Sequence, residues 1–352
     1  MINVGVVGLG QSGWHQHAAS LHTFPDYWLV AVCDRSPVLR ERAAGAFSVR
    51  TYAEAGQLCA DPEVEVVVVA TPNNLHAEQA MAAMEAGKDV VVEKPMSVTL
   101  AEADEMVATA RRTGRVLTVF HNRRWDRDFL MVEALKRRKV LGDILTLDSR
   151  IYMAGDLWGV WSSYGVPEFR PQWRTESAYG GGYLADWGPH MVEQVLRLAG
   201  EMPVSVAADL RGDLWTDEVD DYFNMRLAFP SGLTATMEAS NNGRIPPPRW
   251  YVVGTQGTLI ARGEFDRWAD MRVRAEMDGI TVELEPRDLG VAGARKYGTG
   301  VDLSDHYYAD LADALSSGRP PTITAEHARN VMVVLDAARR SDTSGETIEL
   351  HA

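Results

Sequence analysis

The sequence predicts an α/β protein whose N-terminal part is a parallel, doubly wound sheet and whose remainder is a second, α+β domain. Three observations carry this. The first 120 or so residues alternate strand-like and helix-like segments with short loops. Their strand-like runs are near-continuously apolar, as strands covered on both faces are. From about residue 121 the order changes to helical segments and strands in series, separated by turn signals.

The N-terminal strands read as 2–8, 28–34, 64–71, 88–93 and 115–120. Helices fall between them at 12–22, 37–46, 74–86 and 100–113. The last has Ala103, Met106, Val107 and Ala110 on one stripe, with Arg111 and Arg112 in its final turn and Gly114 ending it. Strand–helix alternation of this kind gives a parallel sheet. Beyond it, helices are expected at 126–138 and 189–199, strands at 143–152, 203–211, 220–229, 232–240, 249–254 and 257–262, and helices again at 304–317 and 325–341. "FPSG" (229–232) and "GTQG" (254–257) are turn signals that pair their flanking strands antiparallel. The domains are expected at 1–121 and 122–352. The stretch 154–182 has no clear periodicity, and long loops of that kind are often functional.

Composition narrows the function classes. The chain has 352 residues and 46% apolar content, enough for a sizeable core. A net charge of −14 argues against a nucleic-acid partner. The basic run "KRRKV" (136–140) fits a helix C-terminus, where cations meet the dipole. Cys33 and Cys59 read as reduced core thiols, not as a disulfide or a metal site, and no metal is expected. The opening "MINVGVVGLG" reads as a strand rather than a signal peptide, and no apolar run approaches the roughly 20 residues that span a bilayer. A cytoplasmic enzyme or binding protein, with a small-molecule ligand and no membrane partner, fits these features.

Gly8, Gly10 and Gly13 form G-x-G-x-x-G directly after a strand and at the start of a helix. That context makes a weak pattern a dinucleotide-binding fingerprint: a tight turn, close approach of backbone to a pyrophosphate, and close helix–strand packing. Gln11 and Ser12 lie within the same loop. Asp34 ends the second strand, about 20 residues after the last glycine, where a carboxylate takes ribose hydroxyls. It favours NAD; Arg35 beside it keeps NADP open. Thr71, Pro72, Asn74 and His76 follow the carboxyl end of the next long strand, where open α/β sheets bind ligands, although Asn74 also suits a helix cap. Glu93 and Lys94 follow the strand after that, so Lys94 is directed at the same crevice.

A second constellation lies in "GGGYLADWGPHMVEQVLRLAG" (180–200). Pro189 suits a first helical turn, which puts Asp186 just before the helix and His190 within that turn. A histidine four residues from a carboxylate is a plausible proton-transfer pair, and also a common structural one.

"GLGQSGWHQH", "ATPNNLH", "EKPMSVTLAEADEM", "NRRWD" and "GGGYLADWGPHMVEQ" occur in the order seen in the glucose–fructose oxidoreductase / inositol dehydrogenase (Gfo/Idh/MocA) family, which the chain resembles over nearly its whole length. The resemblance implies a Rossmann domain, then a domain with a large, mostly antiparallel sheet that often serves an oligomer interface, here a homodimer or homotetramer. It implies NAD or NADP, and sugar or cyclitol substrates. It assigns catalytic roles to Lys94, Asp186 and His190, and places Trp173 and Arg174 near the nicotinamide. Asn122 joins the cofactor set. Glu193 stands where the family commonly has Asp, a departure expected to tune the pocket.

The expected mechanism has His190 as general base, Asp186 orienting the substrate hydroxyl and Lys94 polarising its oxygen, with the roles of Lys94 and His190 open to exchange. Arg123, Trp125 and Tyr164 join these three as substrate contacts. Trp158, Trp161, Trp173, His306 and Tyr307 are further candidate pocket walls, although the tryptophans equally suit core or interface. Two alternatives share the fold: an NAD-recycling enzyme that cleaves glycosides, and a dinucleotide-binding sensor without turnover.

Overall fold

The computed structural model describes residues 1–153, 171–212, 217–241, 243–262, 272–277, 279–284 and 303–350. The chain folds as two compact units. The first takes Met1–His121, the described residues of Trp158–Gly181, and Ser304–Met332; the second takes Asn122–Leu157, Gly182–Leu303 and Val333–Ala352.

In the first unit six parallel strands, β1 (Ile2–Val7), β2 (Tyr27–Cys33), β3 (Arg50–Tyr52), β4 (Val66–Val69), β5 (Asp89–Val92) and β6 (Leu117–Val119), lie in the order β3-β2-β1-β4-β5-β6. This is the Rossmann order, with its reversal between β1 and β4. All four valines of β4 are buried, which explains the unbroken apolar run. The helices are α1 (Ala19–Thr23), α2 (Pro37–Phe47), α3 (Ala55–Cys59), α4 (His76–Glu85) and α5 (Leu100–Thr113). A π-helical segment, Ser12–Ala18, leads into α1. α5 begins with a reciprocal capping box between Thr99 and Glu102 and ends at Gly114 in the left-handed region. Cys33 and Cys59 are free and buried.

The second unit holds α6 (Arg127–Arg137), α7 (Tyr183–Ala199) and a nine-stranded sheet. The sheet strands are β7 (Ile144–Tyr152), β8 (Ser205–Arg211), β9 (Tyr222–Ala228), β10 (Thr234–Ser240), β11 (Trp250–Gly254), β12 (Gly257–Arg262), β13 (Arg272–Met277), β14 (Ile280–Leu284) and β15 (Ile348–Glu349). Their order is β14-β13-β12-β11-β7-β10-β9-β8-β15, antiparallel except for the central β7–β10 pair. Both turn signals do join antiparallel neighbours, β9 to β10 and β11 to β12. Phe223, Met225, Leu227, Met237 and Trp250 are buried, and α7 packs on β9 and β10. α8 (Leu303–Ser317) and α9 (Ala325–Ser344) complete the described helices.

Here α7 departs from expectation. It starts at Tyr183, so Pro189 lies inside it, Asp186 in its first turn and His190 beyond that turn. The early start has a long-range cause: Gly182 (φ 109°) frees the entry, and Asp220 Oδ2 accepts the Leu184 N–H at 2.5 Å. Burial pushes the Asp220 carboxyl up to about 6.

Candidate active site

The Rossmann unit contains a cavity of about 770 Å³ beside the carboxyl ends of β1, β4 and β5. Gly8 carries φ 92°, and a Cβ on Gly13 would stand 1.8 Å from the Gly8 carbonyl oxygen, so the loop closes only with glycine there. A Cβ on Gly10, by contrast, would meet nothing within 4 Å. Gly10 therefore leaves open space on the cavity wall, the cradle a pyrophosphate needs. Gly8, Gln11 and Ser12 line the same cavity, while Gly13 is buried in packing.

Asp34 is fixed by two backbone donors: Oδ2 accepts from Leu9 N and Oδ1 from Ser36 N, each at 2.8 Å. A carboxylate has about four lone-pair sites, so acceptor capacity remains for ribose hydroxyls. Arg40 donates to the carbonyls of Asp34 and Arg35, and the Arg35 side chain is exposed. The residues lining the cavity thus suit a dinucleotide: open backbone at Gly10, a fixed acid at Asp34, and sufficient volume.

The loops after β4 and β5 complete it. Thr71, Pro72, Glu93 and Lys94 line the cavity. Asn73 also lines it, its amide donating to the Gly180 carbonyl at 2.8 Å, whereas Asn74 is exposed in a 3-10 turn and neither lines the cavity nor caps α4. His76 also borders the cavity, but it is fully buried and held by backbone, with Nδ1 2.8 Å from the Pro95 carbonyl and Nε2 2.9 Å from that of Thr71. Burial holds this imidazole below its ordinary range although both carbonyls favour the cation. It braces the two loops. Trp173 and Arg174, on the 3-10 turn Pro171–Thr175, line the cavity with the guanidinium 4.3 Å from the indole centroid. Tyr179 and residues 53–56, which lead into the start of α3, line it too, and no sequence motif signals them.

In the second unit α7 carries Asp186, half-buried, and His190, 7% exposed. What holds that helix is polar and buried. Arg124 pairs with Glu193, and Gln194 donates to the Arg123 carbonyl at 2.7 Å. Arg249 donates to Gln194 Oε1 at 2.9 Å and lies 3.3 Å from Asp128, which accepts the Trp250 indole N–H at 2.8 Å. The expected substrate contact Arg123 is buried, pairs with Asp126 at 3.3 Å, and stacks 4.7 Å over Trp187. These contacts make it a support of α7. Glu193, expected to tune the pocket, is taken up by Arg124. Asn122 is buried and Trp125 half-buried on the same 3-10 turn.

Of the candidate walls, Trp158, Trp161 and Tyr164 lie outside the described residues. Tyr307 is buried in the Rossmann unit, with its hydroxyl donating to Thr118 at 3.0 Å and its ring against Phe120, so it is core and not wall. His306 is half-buried on α8.

Comparison with known proteins decides the lineage. The family description "Oxidoreductase family, NAD-binding Rossmann fold" matches residues 2–121, and "GFO/IDH/MocA C-terminal domain" matches 129–260. The chain belongs to the Gfo/Idh/MocA oxidoreductase family. Among its Gfo/Idh/MocA relatives, the Escherichia coli uncharacterized oxidoreductase YdgJ is 32% identical, over 95% of this chain and 94% of that one. The Bacillus subtilis scyllo-inositol 2-dehydrogenase (NADP(+)) IolW is 30% identical over 99% and 96%. A solved structure, an NAD-binding protein from Listeria innocua, superposes with a TM-score of 0.82 at 29% identity, covering 99% of this chain and 96% of that one. This Gfo/Idh/MocA protein is an NAD(P)-dependent oxidoreductase.

Proposed function

We propose that the protein is an NAD-dependent dehydrogenase that oxidises a ring hydroxyl of a cyclitol or sugar. The observation that carries the reading is that Lys94 lines the same cavity as the glycine loop and Asp34. A lysine there is beside the cofactor and not merely at a strand end. The substrate class is supported by the similarity to the scyllo-inositol dehydrogenase over almost the full chain. NAD is favoured over NADP because the Asp34 carboxylate repels a 2′-phosphate and is held in place by two backbone bonds. Arg35, exposed beside it, and the NADP(+) in the name of that scyllo-inositol relative favour NADP.

A nicotinamide dinucleotide held by the Gly10 loop and Asp34 would supply the acceptor for the hydride of the carbinol carbon. The remaining tasks belong to the chain. Lys94 polarises the reacting oxygen. His190 accepts the hydroxyl proton as the carbonyl forms, and Asp186 orients that hydroxyl. Trp173 and Arg174 form part of the wall that keeps water from the reacting end.

The test is formation of NADH and NADPH, followed by near-ultraviolet absorbance, over scyllo-inositol, myo-inositol, D-glucose and methyl glucosides. NADH from one substrate group, with turnover lowered about 10²–10⁴-fold in Lys94→Ala, supports the reading. Absence of both reduced cofactors with every compound, or near-normal turnover in Lys94→Ala, overturns it.

A further inference from the structure

Behind Lys94 lies a chain of buried side chains that the mechanism does not use. Glu93 is 6% exposed and its carboxylate has two partners on separate oxygens. Oε2 accepts the backbone N–H of Lys94 at 3.0 Å, and Oε1 faces His17 Nε2 at 3.0 Å. The other ring nitrogen of His17, Nδ1, is 2.7 Å from the Tyr308 hydroxyl. One tautomer satisfies the set: His17 donates from Nε2 to Glu93 and accepts at Nδ1 from Tyr308. His17 and Tyr308 are both wholly buried. Burial alone would raise the Glu93 carboxyl, but the His17 bond and the charges around it hold it below the usual range.

The position of His17 matters as much as its bonds. It lies on the π-helical segment Ser12–Ala18, which begins at the glycine loop that lines the cavity. π-winding inside a helix marks functional positions. The segment that starts at the pyrophosphate cradle therefore also carries the group that fixes the carboxylate holding the Lys94 backbone.

We propose that His17 is a positioning residue that sets Lys94 through Glu93 and so ties the placement of that lysine to the cofactor loop. The inference rests on the reading of Lys94 as the oxygen-polarising residue. A histidine serving the core alone would need its ring contacts, such as the edge packing against Phe120 at 4.4 Å, but not its bond to Glu93.

Three variants separate these roles. His17→Phe keeps an aromatic ring and loses both bonds. His17→Gln can still present an N–H near the Nε2 position. Glu93→Gln loses the carboxylate charge and accepts through one atom only, so it keeps both contacts only if His17 changes tautomer and donates to Tyr308 instead, which keeps the question open to test if His17→Phe does not fold. The primary readout needs no substrate: the rate at which trinitrobenzenesulfonate labels Lys94, measured by peptide mass, with exposed Lys139 as internal control. The expected result is a change of about threefold or more at Lys94 in His17→Phe and Glu93→Gln, with Lys139 unchanged. His17→Gln should fall nearer the wild type, and the NADH dissociation constant should stay within about threefold in the two His17 variants. With a turnover substrate from the inositol and glucose panel, kcat should fall by up to about a hundredfold in His17→Phe, with a smaller fall in His17→Gln. Wild-type labelling of Lys94 in both His17→Phe and Glu93→Gln overturns the inference, as does an equal effect of the two His17 variants. Lys94→Ala runs in parallel. If it turns over normally, the reading of Lys94 falls and the inference with it. If it is inactive while labelling in the other variants is normal, the inference alone falls.

Discussion

Replacing Gly10 and Gly13 separately by alanine divides the glycine loop into a folding part and a binding part. In Gly13→Ala the new methyl would stand 1.8 Å from the Gly8 carbonyl oxygen and 2.8 Å from its carbon. Side-chain Cβ atoms essentially never approach below 3.0 Å, and here both sides of the contact are backbone, so no rotamer relieves it. Overpacking costs about 1–3 kcal/mol where side chains can adjust, and a backbone clash belongs at or above the upper end of that range. Gly10→Ala meets nothing within 4 Å and Gly10 has no positive φ, so its stability should be unchanged or raised by about 0.4–1 kcal/mol through the unfolded chain. That methyl would occupy the cavity where backbone and pyrophosphate must approach, and NADH affinity should fall at least about tenfold, or about 1.4 kcal/mol. Urea unfolding and fluorescence titration with NADH measure the two effects independently. A Gly13→Ala protein as stable as wild type, or a Gly10→Ala protein that binds NADH normally, would show that the loop does not work as argued.

Asp34→Ser should lower NADH affinity and shift the NADPH-to-NADH preference by about ten- to a hundredfold towards NADPH, since it removes a charge facing the ribose; an unchanged ratio of dissociation constants would refute the role of Asp34. Glu193→Ala leaves the Arg124 guanidinium buried without its carboxylate, and should cost about 3–5 kcal/mol in denaturant unfolding; a loss under 1 kcal/mol, about the value of a surface pair, would refute the account of what supports α7. Burial pushes the Asp126 carboxyl up to about 7, against the lowering effect of Arg123. The folded state therefore holds this proton more tightly than the unfolded chain, and the associated stability is present at low pH and lost as pH rises from about 4 to about 7. Asp126→Asn should flatten that part of the stability–pH profile, and a profile that keeps the wild-type slope would count against the assignment.

The parallel sheet is legible in the sequence because its strands are unbroken apolar runs punctuated by glycine, acid and turn residues. Elements that leave little trace are short or weakly patterned: β3 has three residues and α3 five, and β13 and β14 have few apolar residues, although the Asp278-Gly279 pair between them is itself a hairpin signal. The start of α7 is hidden because its cap comes from Asp220, 36 residues away, while Pro189 mimics a helix start. In the site, Gly8, Gly10, Asp34 and Lys94 can be read from motifs tied to single loops. The supporting roles of Arg123, Glu193 and His17 cannot. His17, for example, meets partners 76 and 291 residues along the chain, and no local spacing encodes that.

The one parallel pair in the large sheet bears on how the chain is made. Strand β7 has both neighbours downstream: Thr146 aligns with Thr234, 88 residues later (234 − 146), and Val253 follows on its other side. On a ribosome adding about 5–20 residues per second, β7 therefore waits roughly 4–18 s with both hydrogen-bonding edges unmatched. Such edges are templates for wrong partners, and charges along a strand are a known protection. Asp148 and Arg150, alternating with buried Leu147, Ser149 and Ile151, place a bonded pair of opposite charges along this strand at 2.7 Å. Their protective value would be spent during synthesis, and neutralising both should reduce the yield of soluble chain more than it reduces the stability of the finished protein.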